Sequence, residues 1–238
     1  MRSPCPALGL LLPAVLAAPA AAHKPIFSDG TAVSPETALR VDDVSISYVI
    51  YHEVTEPGRP LWIVFEAAAG QRAYWSLGVP VLEGSQSLRP ALALLGPGLP
   101  AIELPFAVPE GLGGILLQRP EGQEPEFFHE PFTGTDSWIQ GEIEPELPQA
   151  GTYYAVAWLP DGATGKLWVA PGRREVFGLA DLAGLPATIE RVRAFHELGA
   201  ASYPCFLAFL AAAAPLLAGA RMMRRRRLSC PPVCRKQS

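Results

Sequence analysis

The chain has 238 residues, with 23 acids against 19 bases, which is room for one ordinary domain plus targeting segments and excludes several large domains. Its charge is segregated: residues 23–220 hold all 23 acids but only 11 of the bases, so the body repels phosphate backbones and nucleic-acid binding is not expected of it. The four cysteines are Cys5, Cys205, Cys230 and Cys234, all outside residues 23–197, so no disulfide framework can hold that body together.

Residues 1–22 read as a signal peptide. Arg2, the apolar stretch 8–18 and the small residues Ala20, Ala21 and Ala22 reproduce the basic, apolar and cleavage regions of an export leader. Cleavage after Ala22 makes His23 the mature N-terminus, and a cut after Ala20 is the alternative. The apolar core is short for a membrane span, which argues against an uncleaved anchor. The chain contains no asparagine, hence no N-glycosylation acceptor, and arginine greatly outnumbers lysine, a composition that fits a bacterial export product.

Residues 23–174 are expected to form an extracytoplasmic all-β domain. Ile46, Tyr48 and Ile50 alternate with Ser45, Ser47 and Val49, while 61–65 and 152–158 are continuous runs of β-formers. Further strands are expected at 73–79, 91–95, 102–108, 115–118 and 138–143. The segment Leu159-Pro160-Asp161-Gly162-Ala163-Thr164-Gly165 has the chemistry of a turn that folds the strand before it back onto Leu167-Trp168-Val169 as a hairpin. About eight or nine short strands, punctuated by 26 prolines and 22 glycines, point to an antiparallel β-sandwich or jelly roll.

From residue 175 the periodicity changes. Leu179, Leu182, Leu185, Ile189, Val192 and Phe195 recur at spacings of three and four, which predicts an amphipathic juxtamembrane helix over 175–197 with Pro186 near its start. Its Arg191 and Arg193 could face lipid headgroups, or the helix could pack on the sandwich. From 198 to 220 no charged residue occurs, a run of about 34 Å as a helix, long enough to cross a bilayer core. Arg221, Arg224, Arg225, Arg226 and Arg227 follow, and by the positive-inside rule they hold the tail 221–238 in the cytoplasm beside anionic lipid headgroups. Localisation follows: a single-pass membrane protein whose N-terminal domain lies outside the cytoplasm, in the periplasm or at the cell surface. A C-terminal sorting signal, cut off at the surface, is the rival reading of the same run.

The stretch Gly151-Thr152-Tyr153-Tyr154-Ala155-Val156, followed by Pro160-Asp161-Gly162 and Gly165-Lys166-Leu167-Trp168-Val169, resembles the closing hairpin of bacterial extracellular β-sandwich modules of the pre-peptidase C-terminal type. More broadly, the order of signal peptide, β domain with a Gly96-Pro97-Gly98-Leu99-Pro100 loop, a His129-Glu130-Pro131-Phe132 segment and a final anchor is similar to a family of uncharacterised bacterial membrane-anchored β-sandwich proteins. That resemblance implies an architecture and no activity.

No nucleophile elbow, zinc-protease helix, phosphate loop or dinucleotide fingerprint is present. The histidines are His23, His52, His129 and His196. A mature N-terminal His23 offers both amine and imidazole, the chelating arrangement by which histidine-brace proteins hold copper, and nitrogen ligands suit Cu(II). His129, flanked by Glu126 and Glu130 in a loop-like segment, is the first choice of partner for His23, and His52 the second. Paired acids among Glu121, Glu124, Glu126, Glu130, Glu142, Glu144 and Glu146 could act on a glycan or hold Ca²⁺, though acids in proline-rich loops are more often solvated surface. Cys230 and Cys234 lack the second pair that a zinc site needs. The favoured expectation is a membrane-tethered module that binds an envelope protein or glycan without catalysis. A copper-binding protein is the alternative, and a glycan-acting hydrolase the third reading.

Overall fold

The computed structural model describes residues 23–176 and 179–199, with the side chains of 179–183 excepted. The expected leader 1–22, the expected tail 221–238 and all but the first two residues of the run 198–220 lie outside them. Among the described residues no helix is long and apolar enough to cross a membrane.

Among the described residues eleven strands, numbered along the chain, form two sheets. The six-stranded sheet is ordered β1 (Lys24–Phe27), β3 (Tyr48–Val54), β11 (Gly165–Pro171), β5 (Trp75–Pro80), β9 (Thr135–Ile143) and β8 (Glu126–Glu130). The five-stranded sheet runs β2 (Leu39–Arg40), β4 (Leu61–Ala67), β10 (Gly151–Trp158), β6 (Ala91–Gly96) and β7 (Gly113–Gln118). Pairing is antiparallel except at two edges, where β1 runs parallel to β3 and β2 parallel to β4. Parallel neighbours need a long crossover, and each pair has one, because the chain visits the opposite sheet in between.

Period-two alternation sends one set of side chains into the space between the sheets. Leu61, Ile63 and Phe65 of β4 and Tyr153, Ala155 and Ala157 of β10 meet Trp75, Leu77 and Val79 of β5 and Leu167 and Val169 of β11, all buried in one cluster. Phe65 is the hub: its ring lies 5.4 Å from Trp75 on the other sheet and 5.7 Å from Tyr153 beside it. Tyr153 donates its hydroxyl to the Gln149 carbonyl at 2.8 Å. A Cβ on Gly96 would stand 2.0 Å from the Tyr153 ring, so only glycine leaves that ring its place.

The continuous apolar runs are explained by a second layer. Trp62, Ala93, Leu95, Val156 and Trp158 point away from the main core, yet they are buried beneath Ile102, Leu104, Phe106 and Val108. Residues 102–108 alternate as a strand would, but they form no ladder. They are a strap folded over the outer face of the five-stranded sheet, where Phe106 meets Trp62 at 5.5 Å and Trp158 at 5.1 Å.

The expected hairpin between 152–158 and 167–169 does not form. Both sides of β10 are occupied, by β4 and β6, while β11 lies in the other sheet between β3 and β5. The 159–165 turn is therefore a corner between sheets, with Asp161 and Gly162 at φ 60° and 71°, a conformation that glycine and aspartate tolerate. Segment 126–130, read as loop-like, is the edge strand β8. The helix α1 spans Leu179–Phe195 with Pro186 inside it rather than near its start. It packs on the sandwich: Val192 is buried with Val49, Tyr51, Trp168 and Ala170 on the outer face of the six-stranded sheet, with Phe195 against them.

Removing the aromatic hub tests this arrangement. Phe65→Ala should cost about 3–5 kcal/mol in urea unfolding, whereas Leu116→Ala, at an exposed site on β7, should cost under about 0.5 kcal/mol. Equal effects would mean that the inter-sheet contact is not what holds the domain.

Candidate functional site

The outer face of the six-stranded sheet carries a cleft of about 230 Å³. Its floor is made by outward positions that hold small residues: Ser76 on β5, Ala170 on β11 and Ser137 on β9. Trp168 lies flat beside them because its neighbour Gly78 has no side chain; a Cβ there would fall 2.2 Å from the indole. The indole Nε1 donates to Ser137 Oγ at 3.1 Å, which fixes the ring. Tyr51, Tyr74 and Phe128 form the walls, and His23, Glu130, Glu142 and His196 supply the polar groups.

Two of the walls are held by neighbours. Tyr51 stacks on Phe27 at 5.1 Å and meets Phe195 of α1 at 4.9 Å; burial, with the nearby Glu130 charge, pushes its phenol well above the usual range. Tyr74 lies under the Arg173 guanidinium, 3.9 Å from the ring centre, and burial followed by its contact with Glu142 raises its pKa. Glu130 caps the turn after β8, accepting from the backbone amides of Phe132 and Thr133 at 2.9 and 2.6 Å. Glu142 pairs with Arg173 at 3.7 Å.

His196 closes the cleft from the helix side and is 4% exposed. Its Nδ1 lies 3.1 Å from the Asp136 carbonyl, and since a carbonyl only accepts, Nδ1 carries the hydrogen. Burial pushes its pKa down to about 4, with Lys166 adding to the effect and the Asp136 carbonyl opposing it. His23 is exposed as a residue, but its ring leans on the rim and bonds Ser47 Oγ through Nδ1. Burial lowers its pKa, against the opposing pull of Glu130 and Glu175.

The structure does not bring together the three histidines that the sequence nominated for a metal. His52 neighbours Tyr51 on β3, and His129 sits between Phe128 and Glu130 on β8. Tyr51, Phe128 and Glu130 line the cleft, so strand alternation points His52 and His129 to the opposite face. His52 is buried against Ser28 Oγ at 3.1 Å, its pKa lowered to about 4 by burial and by Arg59. His129 is exposed and pairs with Asp136 at 2.6 Å. Among the described residues no three His, Cys, Asp or Glu side chains stand close enough to share a metal ion. His23 shares its cleft instead with His196, which sequence reasoning passed over. The signal was present: His196 continues the helical stripe of Val192 and Phe195.

Of the seven acids considered, Glu130 and Glu142 line the cleft, at its two ends. Glu130 faces Thr135 across the β8–β9 ladder, and Thr135 and Glu142 are seven residues apart on β9, about 23 Å of strand. Two-carboxylate glycoside hydrolysis works at about 5–9.5 Å. The others are exposed, and Glu144 contacts Arg173 and Arg72 at 3.2 and 3.5 Å. Arg191 and Arg193 face the sandwich: Arg191 lies 4.2 Å over the Phe27 ring and Arg193 donates to the Thr133 carbonyl at 2.8 Å.

No family model matches the chain, and no curated protein matches it. Among solved structures, the pre-peptidase C-terminal domain of a collagenase from Bacillus anthracis aligns over 57% of this chain and 95% of that domain, with 12% identity and a TM-score of 0.30.

The two buried histidines give the domain an acid-sensitive window. His52 and His196 fold neutral near pKa 4 and unfold to about 6.5, so the unfolded chain binds more protons between these values and stability rises with pH through them. Each should cost on the order of 3 kcal/mol by pH 4. His196→Gln, which keeps a donor for the Asp136 carbonyl, should remove about half of the fall seen in urea titrations from pH 6.5 to 4. An unchanged slope in His52→Gln/His196→Gln would refute the assignment.

Proposed function

We propose that this chain is a non-catalytic binding module outside the cytoplasm, tethered to a membrane by residues 198–220, and that its cleft takes an uncharged or cationic group of an envelope component. One observation carries the reading: the outer face of the six-stranded sheet is hollowed by Ser76, Ser137 and Ala170 and walled by aromatics, the apolar bed with a few polar groups that small ligands require. No lysine or arginine lines it, while Glu130 and Glu142 do, so an anionic ligand is repelled. The wide spacing of these carboxylates, and their engagement by the turn amides and by Arg173, support binding over hydrolysis.

A photoreactive phenylalanine analogue at Tyr74, in the full chain within its native envelope, should give one dominant adduct that is missing when the analogue sits at Leu116 on the other sheet. Ala170→Trp, which fills the floor, should reduce that adduct at least ten-fold. Labelling that is as diffuse at 74 as at 116, or indifferent to Ala170→Trp, would end the reading.

A further inference from the structure

We propose that a second pocket, at the end of the five-stranded sheet, binds a carboxylate carried on an apolar body, with Arg89 holding the carboxylate. The inference is independent of the cleft and of the tether.

The pocket measures about 280 Å³ and lies where β10 ends, β6 begins and β7 ends. Its apolar side is made by Leu88 from the approach to β6 and by Leu159, Pro160 and Ala163 from the corner after β10. Leu159 is buried in the main core, and Leu88 and Ala163 pack against that core, so this wall is fixed before a ligand arrives. Arg89 and Gln118 supply hydrogen-bond donors.

The sign of the ligand follows from how the arginines are partnered. Arg40, Arg72, Arg173 and Arg174 are exposed, and each has a carboxylate within 3.5 Å. Arg89 is half-buried and Arg119 only 8% exposed, yet among the described residues neither has a carboxylate at ion-pair distance. Arg89 donates to the Arg119 carbonyl at 2.8 Å, which fixes its guanidinium, while its buried Nε meets no acceptor among the described residues. Arg119 donates to Gln140 Oε1 at 2.7 Å and to the Gln123 carbonyl. All of these acceptors are neutral. Burial lowers the Arg119 pKa, the Arg89 charge adds to the effect, and Glu124 opposes it. A desolvated cation with only neutral partners is costly, and an anion beside it offsets that cost.

The class of anion follows from the rest of the lining. Asp161, exposed on the corner, also faces the pocket, and it repels a dianionic phosphate about twice as strongly as a singly charged group. A guanidinium fork matches a planar carboxylate with two parallel hydrogen bonds, and the apolar wall receives the body behind it. A free organic acid and a peptide C-terminus share that chemistry.

In ligand-observed NMR on the purified full chain, hexanoate and N-acetyl-leucine should bind saturably and displace one another; the tighter of the two tells a free acid from a peptide C-terminus. Hexanamide should not compete. Arg89→Gln should weaken binding about ten-fold. Gln118→Glu, at an exposed position where the fold does not depend on the side chain, should weaken it about three-fold, and Asp161→Asn should tighten it by a similar factor. Melting temperatures check the fold of each variant. The proposal is overturned by the absence of saturable binding, by binding indifferent to both Arg89→Gln and Gln118→Glu, or by hexanamide or inorganic phosphate competing as well as the acids do.

Discussion

Without a disulfide between them, the two sheets are joined by side chains alone, and the contact of Phe65 with Trp75 is the centre of that joint. Tyr153 completes the stack from β10, anchored by its hydroxyl to the Gln149 carbonyl. Burying three large rings in one place concentrates apolar area and ring–ring geometry where the sheets are closest. Every outer feature depends on this: the direction of Phe65, Trp75 and Tyr153 inward fixes which residues of the same strands point outward.

Those outward residues are treated differently on the two sides. On the five-stranded sheet they are large, Trp62, Trp158 and Leu95, and the strap 102–108 covers them. On the six-stranded sheet they become small toward the middle, and α1 covers one part with Val192 and Phe195. Between the helix and the β8–β9 end the small residues leave the cleft open. There aromatic walls, hydroxyls and carboxylates meet with room beside them.

Much of this was legible in the sequence, and the failures have physical reasons. Alternation and runs of β-formers located β4, β6, β7 and β10 to within two residues at either end, and found β9 from 138 onward while missing its start at Thr135, because burial of one or both faces leaves a period that the eye can count. The same period misled at 102–108, where alternation reports a buried face and says nothing about a hydrogen-bonded ladder. Turn chemistry at 159–165 revealed a reversal but not whether its arms stay in one sheet, since that is decided by β4 and β6 already flanking β10. Strand β8 escaped because an edge strand needs no apolar pattern, and the cleft escaped because its floor is defined by what is missing, the side chains that Ser76, Gly78 and Ala170 do not have. His196 was visible as a histidine, yet only the docking of α1 turns it toward Tyr51.

The strand order has a consequence for how the molecule is made. β10 occupies the middle of one sheet and β11 the middle of the other, and they are the last two of the described strands to leave the ribosome. Until residues 151–171 exist, β4 has no link to β6 and β3 none to β5, so each sheet is two fragments with unpaired edges. Almost every pairing closes a long loop, which slows folding. A growing chain that cannot lock into a native intermediate stays threadable, and a translocation pore that admits only unfolded polypeptide would find it so until the sandwich is nearly complete.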